Sequence, residues 1–167
     1  MSTVESAYSL DLKADILPAR SLGGLRVGTP LREMSAWLSD QDLRGKVKYE
    51  MVGLYEARYR VAEGIVELAV DIRIGKVARL TAYNGYTGAL FGNVRPGMRA
   101  REALRADARL YYSEEEELIL CRGVPGVALD ISERDPDPAR VLDLEIVGVS
   151  VFTEALDTAA GQRGDWG

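Results

Sequence analysis

Glu114, Glu115, Glu116 and Glu117 follow Tyr111, Tyr112 and Ser113 directly, the densest run of chemistry-bearing side chains in the sequence. Neighbouring carboxylates can share a proton, attract a cation or present a negative surface. Glu114 with Asp130 could form an acid and base pair if the fold held the two within a few Å. Other chemistry is restricted. The chain contains 0 histidines, so it lacks the usual general base near neutral pH, the usual partner of a Ser or Cys nucleophile and the commonest zinc ligand. Cys121 is the single cysteine, which excludes an intrachain disulfide, and its setting "LILCRG" reads as a small apolar residue of a buried strand.

Three further stretches invite a functional reading. "GGLRVG" places Gly23, Gly24 and Gly28 before a helix, but without the G-x-G-x-x-G spacing or the Gly-Lys-Ser/Thr of a phosphate-binding loop, so these are turn glycines. "DISERDPDPAR" offers Asp135 and Asp137, but not the alternating acids, central glycine and closing glutamate of a calcium loop. "YNGYTG" carries an Asn-Gly pair typical of tight turns, which places Tyr83 and Tyr86 near an exposed tip where they could bind a partner or cap the core. No residue is assigned as catalytic, metal-ligating or cofactor-binding, and the expectation is a protein that is not an enzyme.

Charge is segregated along the chain. Residues 113–145 contain ten acids and three bases, whereas residues 1–112 contain 13 acids and 17 bases. If the late segment folds onto one side it makes an acidic face, which would steer a cationic partner toward it. Arg95, Arg99, Arg101, Arg105 and Arg109 raise the opposite prospect of nucleic-acid binding. Glu102 and Asp107 interrupt that basic field, the sequence pI is about 4.9, and salt bridges on a solvated helix explain the arginines more simply.

The elements that must position these residues follow from periodicity. The 167 residues suit one domain, 1–167, which two similar halves of about 20–90 and 91–155 could compose. Hydrophobic residues at 47% and charged residues at 28% predict a folded chain. "YSLDL" (8–12) alternates like a strand. Thr29 and Pro30 then open a helix over 30–39, with Thr29 as N-cap and Leu31, Met34, Trp37 and Leu38 on one face. Strands follow around Gly53, Gly64 and Gly75, with Val66, Leu68, Val70 and Ile72 facing opposite to Glu67, Asp71 and Arg73. A second helix over 99–108 turns Ala100, Ala103 and Leu104 inward. After it come strands at 108–112, 117–123 and 126–132, and a long one over 140–152 in which Leu142, Leu144 and Ile146 alternate with Asp143 and Glu145. The tail from Asp157 reads as frayed. The predicted fold is α+β: an antiparallel sheet with two short helices on one face. An internal duplication remains open, since aligning Gly28 with Gly97 pairs Leu25 with Val94, Arg26 with Arg95, Arg32 with Arg101 and Glu33 with Glu102.

The two turn-helix stretches, "LRVGTPLREM" and "VRPGMRAREAL", resemble those of small α+β interaction modules. One group with this element is the β-lactamase-inhibitor-like fold and the related outer-membrane-assembly lipoproteins. Members of that group are exported, and the lipoproteins carry an N-terminal lipid-attachment cysteine, features this sequence lacks. The order of Gly28, "YTG" at 86–88, "RPGM" at 95–98 and "RGVPGVALD" at 122–130 is similar to small bacterial immunity proteins of secreted polymorphic or type VI toxin systems, over about residues 20–132.

That resemblance implies a cytoplasmic protein, active in interbacterial competition, that binds and neutralises a cognate toxin whose active-site cleft is basic. It implies no cofactor, no nucleic acid and no membrane. The partner-binding residues would be Tyr83, Tyr86, Tyr111, Tyr112, Glu114, Glu115, Glu116, Glu117, Asp135 and Asp137. The alternatives are a small carboxylate-dependent enzyme, a small-ligand-binding module, or a structural module that self-associates through the 140–152 strand. If the glutamates form a turn anchored by Leu110 and Leu118, replacing Glu115 and Glu116 with lysine should leave the fold nearly intact. It should weaken binding of a cationic partner most at low salt, measured as affinity across an ionic-strength series.

Overall fold

The alternating segments become an eight-stranded antiparallel sheet in the computed structural model, which describes residues 8–43 and 45–153. A small ribbon of β1 (Ser21–Leu22) and β2 (Leu25–Arg26) leads into α1 (Leu31–Leu43), and four strands follow: β3 (Lys48–Val52), β4 (Glu56–Val61), β5 (Val66–Asp71) and β6 (Lys76–Tyr83). After α2 (Ala100–Ala106) come four more: β7 (Leu110–Ser113), β8 (Leu118–Cys121), β9 (Val127–Ile131) and β10 (Ile146–Phe152). The order across the sheet is β3-β4-β5-β6-β10-β9-β8-β7, so each helix is followed by a four-stranded meander and the last strands of the two meanders pair at the centre.

The correspondence between the halves extends to single hydrogen bonds. Gly28 N–H donates to Val77 C=O and Gly97 N–H to Ile146 C=O. Val77 N–H donates to Thr29 C=O and Ile146 N–H to Met98 C=O. Leu31 N–H donates to Gly75 C=O and Ala100 N–H to Leu144 C=O. The alignment that superposes Gly28 on Gly97 thus also superposes the two helix starts and their anchors on β6 and β10. In the same alignment Thr81 matches Ser150, and these two sit directly opposite each other in the β6–β10 pairing. Their hydroxyls are 2.8 Å apart and buried. A local two-fold axis therefore passes between them.

Period-two alternation gives the sheet two different faces. Val66, Leu68 and Val70 of β5, Leu80 and Ala82 of β6, Leu129 of β9 and Val149 and Val151 of β10 join Met34, Trp37 and Leu38 of α1 and Ala100 and Ala103 of α2 in one buried cluster. Burial of each large side chain contributes about 2 kcal/mol. The intervening residues point away from both helices. Among them Glu67, Asp71, Thr81 and Ser150 are themselves buried.

Several expectations needed correction. α1 runs four residues past its expected end. Thr29 does not cap it with its hydroxyl, which instead donates to Arg26 C=O at 2.8 Å, while Gly75 accepts the first free N–H of the helix. Tyr8–Leu12 is no strand, although Leu10 and Leu12 pack on the core. The long 140–152 strand is divided: Pro138–Asp143 forms a 3-10 turn started by Asp137, whose carboxylate accepts Ala139 N–H at 3.0 Å, and β10 begins only at Ile146. Because β10 lies between β6 and β9, it offers no free edge for self-association. Ile72 lies beyond β5 and is exposed. The tail from Asp157 and residues 154 and 155 of the second half lie outside the described residues.

Tyr86 fastens the entry segment to the sheet. Its hydroxyl donates to Ala14 C=O at 2.6 Å and accepts Gly23 N–H at 2.7 Å, in a site where the residue is 2% exposed. Tyr86→Phe would leave both backbone groups without their partner. It should cost about 2 kcal/mol, read as a lowered denaturation midpoint with an unchanged slope.

Candidate functional site on the open face of the sheet

On the face turned away from the helices, the central strands floor a groove of about 1050 Å³. Its lining changes character from one side to the other. Arg58, Glu67 and Arg79 come from the first meander, whereas Tyr111, Leu118, Leu120 and Phe152 come from the second, with Glu115 and Glu116 at the rim. Small residues keep the middle shallow: Thr81, Ser150 and Ala128 lie in one cross-strand row with Glu67.

The charges of the first meander largely satisfy one another. Glu67, 2% exposed, accepts Arg60 Nε at 2.8 Å and lies 3.8 Å from Arg58 Nε. Arg58 Nε also donates to Glu56 at 2.9 Å, and Arg79 donates to the other Glu56 oxygen at 3.3 Å. A carboxylate in so little water stays ionised only with such partners.

The next row is different. Gly148 of β10 pairs with Tyr83 of β6 on one side and with Asp130 of β9 on the other. Having no side chain, Gly148 lets its neighbours converge: a β carbon there would lie 3.3 Å from Asp130 Oδ2 and 3.3 Å from the Tyr83 ring. A bulge at Val147 breaks the β9–β10 register beside this point, and its counterpart at Ala78 breaks the β5–β6 register in the other half. The Asp130 carboxyl and the Tyr83 hydroxyl make no hydrogen bond or ion pair with another described residue. Burial pushes the Asp130 carboxyl above its ordinary value. The Arg79 charge opposes that rise, Glu67 adds to it and Arg58 opposes it. Burial raises Tyr83 as well, reinforced by Glu67 and then by Asp130.

Symmetry marks this row as special. The local two-fold axis carries Tyr83 onto Phe152, Gly148 onto Arg79 and Asp130 onto Ala69, and Phe152, Arg79 and Ala69 form the equivalent row. One half holds a cation where the other holds nothing, and an anion where the other holds a methyl group.

The sequence-identified residues scatter around this groove. Tyr83, Tyr111, Glu115 and Glu116 line it, with the Arg122 guanidinium 4.8 Å from the centre of the Tyr111 ring. Tyr112 turns to the opposite face and packs on the core. There burial raises its hydroxyl above the ordinary value, and Glu117, Glu114 and Asp135 add to the rise. The four glutamates form the exposed turn between β7 and β8, but they divide between the two faces. Tyr86 is internal, and the Asp137 carboxylate is engaged as a cap. Glu114 is not part of the groove lining. The carboxylate that acts on Asp130 is Glu67. Cys121 is buried, and burial lifts its thiol above the ordinary value. Two of the clustered arginines are paired, Arg101 with Asp143 and Arg109 with Asp107. Among the described residues no group of three or more His, Cys, Asp or Glu is arranged to hold a metal ion, and no helix is long and apolar enough to cross a membrane.

Because the folded protein holds the Asp130 proton more tightly than the unfolded chain, that group favours folding below the ordinary carboxylate value. The contribution is lost as pH rises through its raised value. Asp130→Asn should therefore be more stable than the parent at neutral pH. The difference should shrink as pH falls toward 3.8 in denaturation curves, with Glu67, Arg79, Arg58 and Tyr83 left in place.

No family model and no curated protein matches the chain. Among solved structures, it is similar to the crystal structure of the uncharacterized protein YfeY from Escherichia coli, with a TM-score of 0.53 and 14% sequence identity. The match covers 81% of this chain and 98% of that one, a likeness of fold.

Proposed function

We propose that this protein is a binding protein whose open sheet face receives a partner protein. Its specific role in this reading is a cytoplasmic immunity protein that neutralises a cognate secreted toxin. The observation that carries the reading is the groove itself. Among the described residues no element covers that face of the sheet, and it combines aromatic anchors, Tyr83 and Tyr111, with acids at its floor and rim. Interfaces draw their affinity from such anchors, and an acidic rim accelerates the approach of a basic partner.

The working set in this reading is Tyr83, Tyr111, Glu115, Glu116 and Asp130. Tyr86 and Asp137 serve the fold. Tyr112, Glu114, Glu117 and Asp135 gather on the other side of the β7–β8 turn, where they contribute only to the general negative field. Binding needs no cofactor, no nucleic acid and no membrane, and no turnover. We further infer that the two helix-and-meander halves descend from one unit. The shared anchors of Gly28 and Gly97 support this. An alternative reading, a carboxylate-dependent enzyme or small-ligand binder, draws on Asp130, whose raised carboxyl suits proton transfer.

Co-expression with the product of the adjacent gene tests the proposal. The two proteins should co-purify, the complex should weaken as salt is raised, and the protein should protect cells that express its neighbour. No complex and no protection would overturn it.

A further inference from the structure

We propose that Tyr83 and Asp130, brought together across Gly148, form a subsite for one guanidinium or ammonium side chain of the partner. This rests on the reading of the open face as a binding surface and names the chemistry it selects. A carboxylate at the floor of a groove and mostly out of water normally carries a partner, because an unpaired ion there is costly. Asp130 has none among the described residues, and neither has the hydroxyl beside it. The arginines in reach do not supply one. Arg58 is held by Glu56 and Glu67, and Arg79 donates to Glu56, so both act on Asp130 only through space.

An incoming guanidinium meets three complementary features. Asp130 Oδ2 offers a charged acceptor, the Tyr83 oxygen a neutral one, and the Tyr83 ring a π face beside them. The aliphatic stem of an Arg or Lys side chain is matched by the apolar side of the groove, Leu118, Leu120 and Phe152. Glu115 and Glu116 at the rim favour a positive group on its way in. Arg134 is the lining cation from the second meander that opposes it. The symmetry-related row cannot do this, because Arg79 fills the position of Gly148 and Ala69 replaces the carboxylate.

The subsite can be tested without the partner. The free protein is titrated with N-acetyl-L-arginine amide and, separately, with its norleucine counterpart, while backbone 1H–15N shifts are followed. The arginine probe should cause saturable shifts at Tyr83, Asp130 and Gly148 that the norleucine probe does not. Asp130→Asn should weaken the response about tenfold and Tyr83→Phe less, with the remaining spectrum unchanged. Equal shifts from both probes, an undiminished response in Asp130→Asn, or no saturable shift would overturn the assignment. The outcome is separable from that of the partner test. If the adjacent product fails to bind while the arginine probe binds as described, the immunity reading falls and the subsite stands. The converse result removes the subsite alone.

Discussion

The 2.8 Å contact between the Thr81 and Ser150 hydroxyls marks the constraint on which the molecule turns. Two helix-and-meander units, each too small to bury both faces of its sheet, join their strands through β6 and β10. Continuity of the eight strands depends on that one antiparallel pairing. At its centre two short side chains meet across the local axis, each satisfying the other's hydroxyl in a buried place. Larger or unpaired groups there would either part the strands or strand a polar atom. With the halves joined in this way, the helices fall on the same side, one core forms beneath them, and among the described residues nothing covers the opposite face.

An open face over a buried sheet imposes its own chemistry. Charged groups so near the core need partners, and the first meander supplies them internally through Glu56, Glu67, Arg58, Arg60 and Arg79. The second meander departs from that rule at one carboxylate. Asp130 occupies a position whose symmetry mate is Ala69, beside Gly148 whose mate is Arg79. Departures of this kind lower stability and are kept where a surface does something. The proposed binding role would account for this departure. The outer hairpin of β3 and β4 also exposes Tyr49, Met51, Leu54 and Tyr55, and the Tyr49 and Tyr59 rings lie 5.0 Å apart there.

The sequence made the architecture readable wherever alternation and glycine punctuation agreed. Val66, Leu68 and Val70 fell on the core face, the helices began where Gly28 and Gly97 predicted, and the glutamates became the β7–β8 turn. Reading failed where one pattern fits two structures. Leu144 and Ile146 are buried and alternate with Asp143 and Glu145 as expected, but Leu142 is exposed and Val141 is buried in its place, a spacing of three from Leu144 that suits the 3-10 turn seen from Pro138. Tyr8–Leu12 alternates without an available strand to pair with. Tyr86 stands in a turn sequence and is nevertheless internal, because its hydroxyl is required by Gly23 and Ala14 far away in the chain. The site itself was least legible. The sequence offers Asp130 as a partner for Glu114, whereas the register places Gly148 beside it and Tyr83 beyond, and register across distant strands is set by packing rather than by local pattern.

The central claim is that the open face, and not the outer hairpin or the acidic turn alone, is the working surface. Fluorine NMR of protein carrying 3-fluorotyrosine at its 8 tyrosine positions tests this most directly when the adjacent gene's product is added. The account predicts that the resonances of Tyr83 and Tyr111 shift or broaden while those of Tyr49, Tyr55 and the internal Tyr86 hold still. Movement of Tyr49 and Tyr55 with Tyr83 and Tyr111 unmoved would contradict it.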